Sequence, residues 1–382
     1  MTTDDSTATG GVTQAGGTSE GGATNSGGVT GTGGTGGETR TGGSSSAAGR
    51  SGGSTGTGGT AGTVAKNCSA PTSFSWTSSD VLIRPVSDSS HILVAVMEPT
   101  AVFYNGKYLV YSAVANSAGS SNLVFLTFAD WPQANSTTFY YLDNNPGFSG
   151  NRGSPQLFYF TPQKKWYLIY QSGPPSYSTA ADASQAPTWT KPATFFSSTP
   201  SIVTQNAGSV AWTDFWVICN TSNCFMFFRN DKGFLFRSQT SVGSFPSGFG
   251  TPVIVMQSSN ANNLLQGNSV YKMKGMNKYL LLMEAAGTSR YFRSWTADAI
   301  DGTWTAQADS EGSPFAGASN VTFSGDKWTN DISHGQLLRD GTDETLTIDT
   351  CKLQFLFQGK DPYTTATGNL LPWKLGLLTK TN

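Results

Sequence analysis

A strand, a polar turn and an aromatic strand recur five times after residue 67, and this recurrence constrains the fold more than any other feature. The segments read VFYNGKYLVYS from Val102, LFYFTPQKKWYLIYQ from Leu157, VICNTSNCFMFFRNDKGFLFRS from Val217, VYKMKGMNKYLLLMEAAGTSRYFRSWTA from Val270 and LLRDGTDETLTIDTCKLQFLFQGK from Leu337. Their starts lie 55, 60, 53 and 67 residues apart. Two of them run on visibly into a third strand. One such unit cannot bury its apolar face alone, whereas stacked copies can. Five antiparallel sheets at this period predict an all-β, five-bladed β-propeller over residues 67–382, one sheet per blade. A β-sandwich is the alternative, but it rarely shows such self-similarity. Helix signals are poor throughout.

The first unit has the clearest local structure. Asn105-Gly106 supplies the positive φ angles of a two-residue turn, so 103–111 reads as a tight hairpin. Upstream, the run from Val94 breaks at Glu98-Pro99. Proline removes a ladder donor and marks a strand end or bulge. A carboxylate there would sit at the mouth of a sheet, within reach of solvent and substrate; an edge-strand charge is the plainer alternative.

Residues 1–66 are nearly all Gly, Ser and Thr. Such a segment cannot bury enough apolar surface to offset its ordering entropy, so a disordered linker is expected. It begins MTTDDST, with no apolar core of a secretory leader. No run approaches the ~20 apolar residues of a membrane helix. The net charge is −1 with 12% charged residues. That is too neutral for nucleic-acid binding, which needs a clustered basic surface. Aromatics also reach 12%, with ten Trp, which suits a protein that stacks on neutral sugar rings. Membrane and nucleic-acid partners are therefore not expected, and a monomer is.

Cys68, Cys219, Cys224 and Cys351 form an even set, consistent with pairs in an oxidising compartment. Cys219 and Cys224 bracket the turn NTSN and could bridge a hairpin. Cys68 sits at the start of the repeat-bearing domain and Cys351 near its end, and a bridge there would tie a closed ring together. Sequons at Asn67, Asn135, Asn220 and Asn320 are compatible with secretion. A secreted, extracellular protein whose own N-terminus lies elsewhere is the expectation.

In a propeller the inner strands converge on a central channel, so polar residues at their starts gather on one face. The candidates are Glu98, Asp214, Gln266 and His334. Asp214 is a lone carboxylate between Trp212 and Trp216. Gln266, in NNLLQGNSVYK, reads by itself as a turn residue. His334 is one of two histidines and reads either as structural or as a metal ligand on the axis.

At these residues the chain resembles glycoside hydrolase family 62, the α-L-arabinofuranosidases. The resemblance covers essentially 68–382. Its most specific stretches are YKMKGMNKYLLLMEAAGTSRYFRSWTA, SEGSPFAG, WTNDISHG, LQFLFQGK and LPWKLGLLT. It implies a secreted propeller that removes arabinofuranosyl side groups from arabinoxylan or arabinan with inversion. Such enzymes pair a general base with a general acid about 6.5–9.5 Å apart. The base motif K-D-P-[TS] corresponds to Met97-Glu98-Pro99-Thr100, so Glu98 takes the base position with one extra methylene. Asp214, in DFWVI, matches the aspartate that tunes the acid. Gln266, before Gly267 and Val270-Tyr271-Lys272, takes the acid position. A glutamine has no titratable proton to give. His334 matches a histidine beside a structural calcium-type ion on the axis. Asn369 is retained as a substrate-binding position, and Gly368 replaces a sugar-stacking tyrosine. Glu284, in LLMEAAG, is expected further along its strand than the acid position, in a structural or substrate-orienting role.

Two functions follow from these substitutions. One is an arabinofuranosidase by lineage; the other is a degenerate propeller that binds plant cell-wall polysaccharide without cleaving it. Gln266 separates them. A propeller acting on sucrose or fructan fits the C-terminal stretches far less well.

Overall fold

A computed structural model describes residues 68–381. The expected linker at 1–66 and the sequon at Asn67 lie outside the described residues. The rest is an all-β, five-bladed propeller. Blade one comprises Leu93–Tyr104, Lys107–Asn116, Ser121–Phe128 and Tyr140–Tyr141. Blade two comprises Gly153–Phe160, Lys165–Gln171, Pro175–Ala180 and Ala193–Thr194. Blade three comprises Thr213–Cys219, Asn223–Arg229, Phe234–Ser241 and Val253–Gln257. Blade four comprises Gln266–Met273, Tyr279–Ala286, Arg290–Ala297 and Thr305–Ala306, with Thr347–Ile348 added parallel to its first strand. Blade five comprises Ser333–Leu337, Gln354–Gly359 and Lys374–Lys380. Trp76–Ser78 then pairs antiparallel with Lys374–Lys380, so the two ends of the described chain complete one sheet. No described helix is long and apolar enough to cross a membrane.

The first strand of each blade is the inner one, and side chains sew each to the next. Gln336 of blade five accepts from Thr100 Oγ1 at 3.0 Å and from the Ala101 amide at 3.4 Å in blade one. Thr100 Oγ1 accepts from the Leu157 amide of blade two at 3.1 Å. Gln156 exchanges two bonds with the Val217 backbone of blade three, at 2.7 and 2.8 Å. The Trp216 indole donates to Val270 O of blade four at 2.9 Å, and Tyr271 Oη accepts from the Leu337 amide of blade five at 3.0 Å. The circuit closes. Buried amides and hydroxyls are costly unless paired. Each of these groups is satisfied only when its neighbouring blade is in place, so the ring specifies its own order.

Between blades the packing is aromatic. Phe158, Phe225, Phe227 and Phe228 are fully buried in the largest core cluster. The Asn105-Gly106 hairpin forms as its sequence requires, with Tyr104 paired to Lys107 and both turn residues at positive φ. Cys68 is bonded to Cys351 and Cys219 to Cys224.

One expectation is corrected. The run through Glu98-Pro99 does not break: Leu93–Tyr104 is one twelve-residue strand. The proline is accommodated by a bulge, at which the pairing jumps from Met97 to Thr100. Such bulges insert one unpaired residue and re-aim a side chain. All five inner strands carry the same defect, between Met97 and Thr100, Gly153 and Gln156, Thr213 and Trp216, Gln266 and Ser269, and Ser333 and Gln336.

Candidate active site

The bulges build the site. The first residue of each is Glu98, Ser154, Asp214, Gly267 or His334, so five equivalent positions bring these residues to one end of the axis. Glu98, Ser154, Asp214 and Gly267 have φ of 53°, 47°, 56° and 63°. A non-glycine residue rarely holds such an angle. Three in equivalent places mark a backbone bent to deliver side chains, held by the ladders on either side.

Three of these residues, Glu98, Ser154 and Asp214, line a cavity of about 250 Å³ together with Arg152, Arg229, Gln266 and Asn369. Glu98 Oε2 accepts from the Ser154 amide at 2.6 Å, and Ser154 Oγ lies 3.3 Å from the same oxygen. Ser154 Oγ also donates to Asp214 Oδ1 at 2.9 Å. One serine thus couples the two carboxylates. Asp214 Oδ2 accepts from Arg229 Nε at 2.8 Å and from the Gly267 amide at 3.1 Å. Burial works against ionising Asp214. The Arg229 guanidinium and then His334 outweigh it, with hydrogen bonds from Arg229 and Gly267, and hold the carboxyl well below the ordinary range.

Gln266 opens its strand and is not the turn residue that its local sequence suggests. Its Cα partner is Glu284. The expectation that Glu284 lies further along the strand is therefore corrected: the one-residue bulge after Gln266 sets the two side by side. Glu284 is fully buried and is not among the cavity's lining residues. It accepts from Gln266 Nε2 at 3.2 Å to each oxygen, Arg290 Nη1 at 2.8 Å, Ser333 Oγ at 3.0 Å and the His334 amide at 2.7 Å. A buried carboxylate so surrounded by donors organises neighbours and has no open face for a ligand. It also fixes the Gln266 amide, because a carboxylate accepts only from the nitrogen side.

Asn369 lines the cavity and donates to Gly119 O at 2.9 Å. His334 Nδ1 lies 3.9 Å from Glu98 Oε1, too far for a hydrogen bond. That Nδ1 and both side-chain polar atoms of Asn268 are buried without partners. Both residues border a space of about 20 Å³ between the inner strands. Among the described residues no group of three His, Cys, Asp or Glu is arranged to hold a metal.

On the second strands sequence reasoning singled out only Glu284 and missed the rest. Opposite the residue before each bulge lie Gln171, Arg229, Glu284 and Gln358 in blades two to five. Gln171 accepts from Thr213 Oγ1. Gln358 accepts from the Glu98 amide at 2.8 Å and donates to Ser333 Oγ at 3.2 Å. In sequence they are the polar residues that close YLIYQ, MFFR, LLLME and LFQ. Aligning the five repeats on their second strands would have found them together. Ser154 carried no such signal.

Comparison with known proteins places the chain in a family. The glycosyl hydrolase family 62 model matches residues 75–379. An α-L-arabinofuranosidase C from Cellvibrio japonicus (strain Ueda107) is 38% identical over 320 residues, 83% of this chain and 48% of that protein, so the chain spans about half the length of this curated relative. The catalytic domain of a family 62 α-L-arabinofuranosidase from Coprinopsis cinerea is 50% identical with a TM-score of 0.80, covering 82% of this chain and 98% of that one. An α-L-arabinofuranosidase from Podospora anserina, solved in complex with cellotriose, is 46% identical with a TM-score of 0.79 over 82% of this chain and 98% of that one. The match spans every blade and the whole cavity: the chain belongs to glycosyl hydrolase family 62.

Proposed function

We propose that the cavity receives a terminal arabinofuranosyl group of arabinoxylan or arabinan, and that the chain works outside the cell as a monomer. The two disulfides support the location. In this reading Glu98 is the base of an inverting hydrolysis. Oε2 is tied to Ser154, leaving Oε1 to take a proton from water. Asp214, kept ionised by Arg229, supplies fixed negative charge. The acid position is the weak point. Gln266 has no proton to deliver, and general acid catalysis typically contributes ~10²–10⁴-fold. Displacing the base by the extra methylene costs up to ~10²-fold more.

The observation that carries the reading is the intact Glu98–Ser154–Asp214–Arg229 chain beside an amide at the acid position. Gln266→Glu should raise arabinose release from wheat arabinoxylan by ~10²–10⁴-fold. It would put a second carboxyl beside Glu284, which favours the protonated form a general acid needs. If the unaltered chain already releases arabinose at the rate of the variant, another group donates the proton. A second reading, polymer binding without cleavage, is favoured by the same amide. Tight binding with neither chain turning over would establish it.

We also propose a structural calcium-type ion on the axis. Asn268 Oδ1 and His334 Nδ1, both buried without partners, would hold it, and water would complete its oxygen shell. Its charge would add to the positive field that Arg229 sets at Asp214. Chelation should then lower the thermal midpoint, and calcium should restore it; an unchanged midpoint rules the ion out.

A further inference from the structure

The amide at the acid position is held in one orientation, and this decides which bonds the site can break. Gln266 Nε2 spends its hydrogens on both oxygens of Glu284 and on Ser333 Oγ, at 3.2, 3.2 and 3.4 Å. What remains for the cavity that Gln266 lines is its carbonyl oxygen, which can only accept. A departing oxygen therefore meets neither an acid nor a hydrogen-bond donor at this position. A sugar hydroxyl is too weak an acid to leave unaided. The rest of the hydrolytic apparatus is unaffected, because water activation needs only Glu98 and its Ser154 clamp.

A second feature concerns charge. Two cationic side chains line the cavity. Arg229 is committed to Asp214. Arg152 forms no ion pair among the described residues; its Nη1 donates to Asn151 O at 3.0 Å and its Nε is buried without a partner. Its guanidinium lies 5.7 Å from the Tyr170 ring centre. A guanidinium without a counter-charge in a partly enclosed space stabilises an anion formed there.

Resting on the arabinofuranosyl-binding reading above, we propose that this chain hydrolyses aryl α-L-arabinofuranosides, in which the aglycone is a phenol, in preference to arabinofuranosyl groups linked to another sugar. Water attacks the anomeric carbon from the face opposite the aglycone. The new C–O bond forms as the bond to the aglycone oxygen breaks, and the bonding pair leaves with that oxygen as a phenolate. The water proton passes to Glu98 Oε1 and then to solvent, and the phenolate takes its proton from solvent. The anomeric centre is inverted. A phenol ionises near pH ~10, as tyrosine does, so it departs without help where a sugar alkoxide cannot.

The test is a series of substituted phenyl α-L-arabinofuranosides, from 4-nitrophenyl to unsubstituted phenyl, assayed with the full chain beside wheat arabinoxylan, with binding to arabinoxylan measured by calorimetry. The 4-nitrophenyl substrate is expected to turn over. Rates should fall steeply along the series, by roughly tenfold per unit of aglycone pKa, because no proton offsets the charge on the departing oxygen. Release from arabinoxylan should be at least ~10²-fold slower. Gln266→Glu should flatten the slope, and Arg152→Met should slow the aryl substrates without flattening it. If arabinoxylan binds but no aryl substrate is cleaved, the inference fails while the arabinofuranosyl-binding reading stands. A shallow slope in the unaltered chain also defeats it, since another group must then protonate the aglycone. Loss of both binding and aryl hydrolysis defeats both.

Discussion

Asp214 carries more of the site than its size suggests, because one carboxylate serves Ser154, Arg229 and the Gly267 amide. Arg229 and Asp214 are both largely buried, with side-chain exposures of 13% and 6%. Removing one partner of such a pair strands the other. Asp214→Ala should therefore cost about 3–5 kcal/mol in a urea unfolding titration. The pH dependence follows from the depressed folded-state pKa. The stabilisation is fully present above the unfolded value near ~3.9 and is lost only as pH falls through the folded value, far below it. The gap between the two proteins should stay level from about pH 5 to 8 and close in strong acid. A gap that shrank near neutrality would overturn the assignment of this stability to the Arg229 pair. Glu98, Asp214 and His334 were legible as residues because each is an odd polar group in an inner strand. Their linkage was not. The serine that joins Glu98 to Asp214 looks like any surface serine until the second bulge places it between them.

The repeated bulge is the device that turns five ordinary strands into a site. The sequence shows the strands clearly, since aromatic alternation and the Asn105-Gly106 turn act over a few residues. It hides the bulges, because one extra residue in one strand can be counted only against its partner. This is why Glu98-Pro99 reads as a break and Gln266 as a turn. It is also why Glu284 seemed displaced from Gln266, when the extra residue brings them level. The bulges are not interchangeable in their tolerance. In blade five Gly335 follows His334, and a Cβ there would lie 2.5 Å from Leu356 O and 2.8 Å from the Phe355 ring. Backbone and a packed ring have little room to yield. Gly335→Ala should cost about 1–3 kcal/mol and should also perturb ligand binding, since it displaces His334. Gly312→Ala, where a Cβ would meet nothing within 4 Å, should stay within about 0.5 kcal/mol. Equal losses at the two positions would mean that chain flexibility, and not the close approach, governs both.

A ring of five sheets has one seam, and everything that shapes the cavity depends on keeping it shut. Blade five is completed by Trp76–Ser78 from the other end of the described chain, through only three residue pairs with Lys374–Lys380. Beside this seam Cys68 and Cys351, 283 residues apart, are covalently joined. Cys219 and Cys224 span only 5 residues within one hairpin. If a crosslink acts chiefly by restricting the unfolded chain, the long loop contributes about 5.6 kcal/mol and the short one about 2. Replacing each pair by serines and comparing unfolding midpoints separates the two. The Cys68–Cys351 variant should lose the larger share. Its loss should also reach the axis, because Gln336 and Thr100 meet across the junction of blades five and one, and Gln358 holds the Glu98 amide across the same junction. Weaker binding of arabinose-decorated xylan should therefore accompany that variant and spare the hairpin variant. If both pairs cost the same and binding is untouched, the strand pairing of Trp76–Ser78 closes the ring on its own, and the disulfide only tethers the segment before that strand.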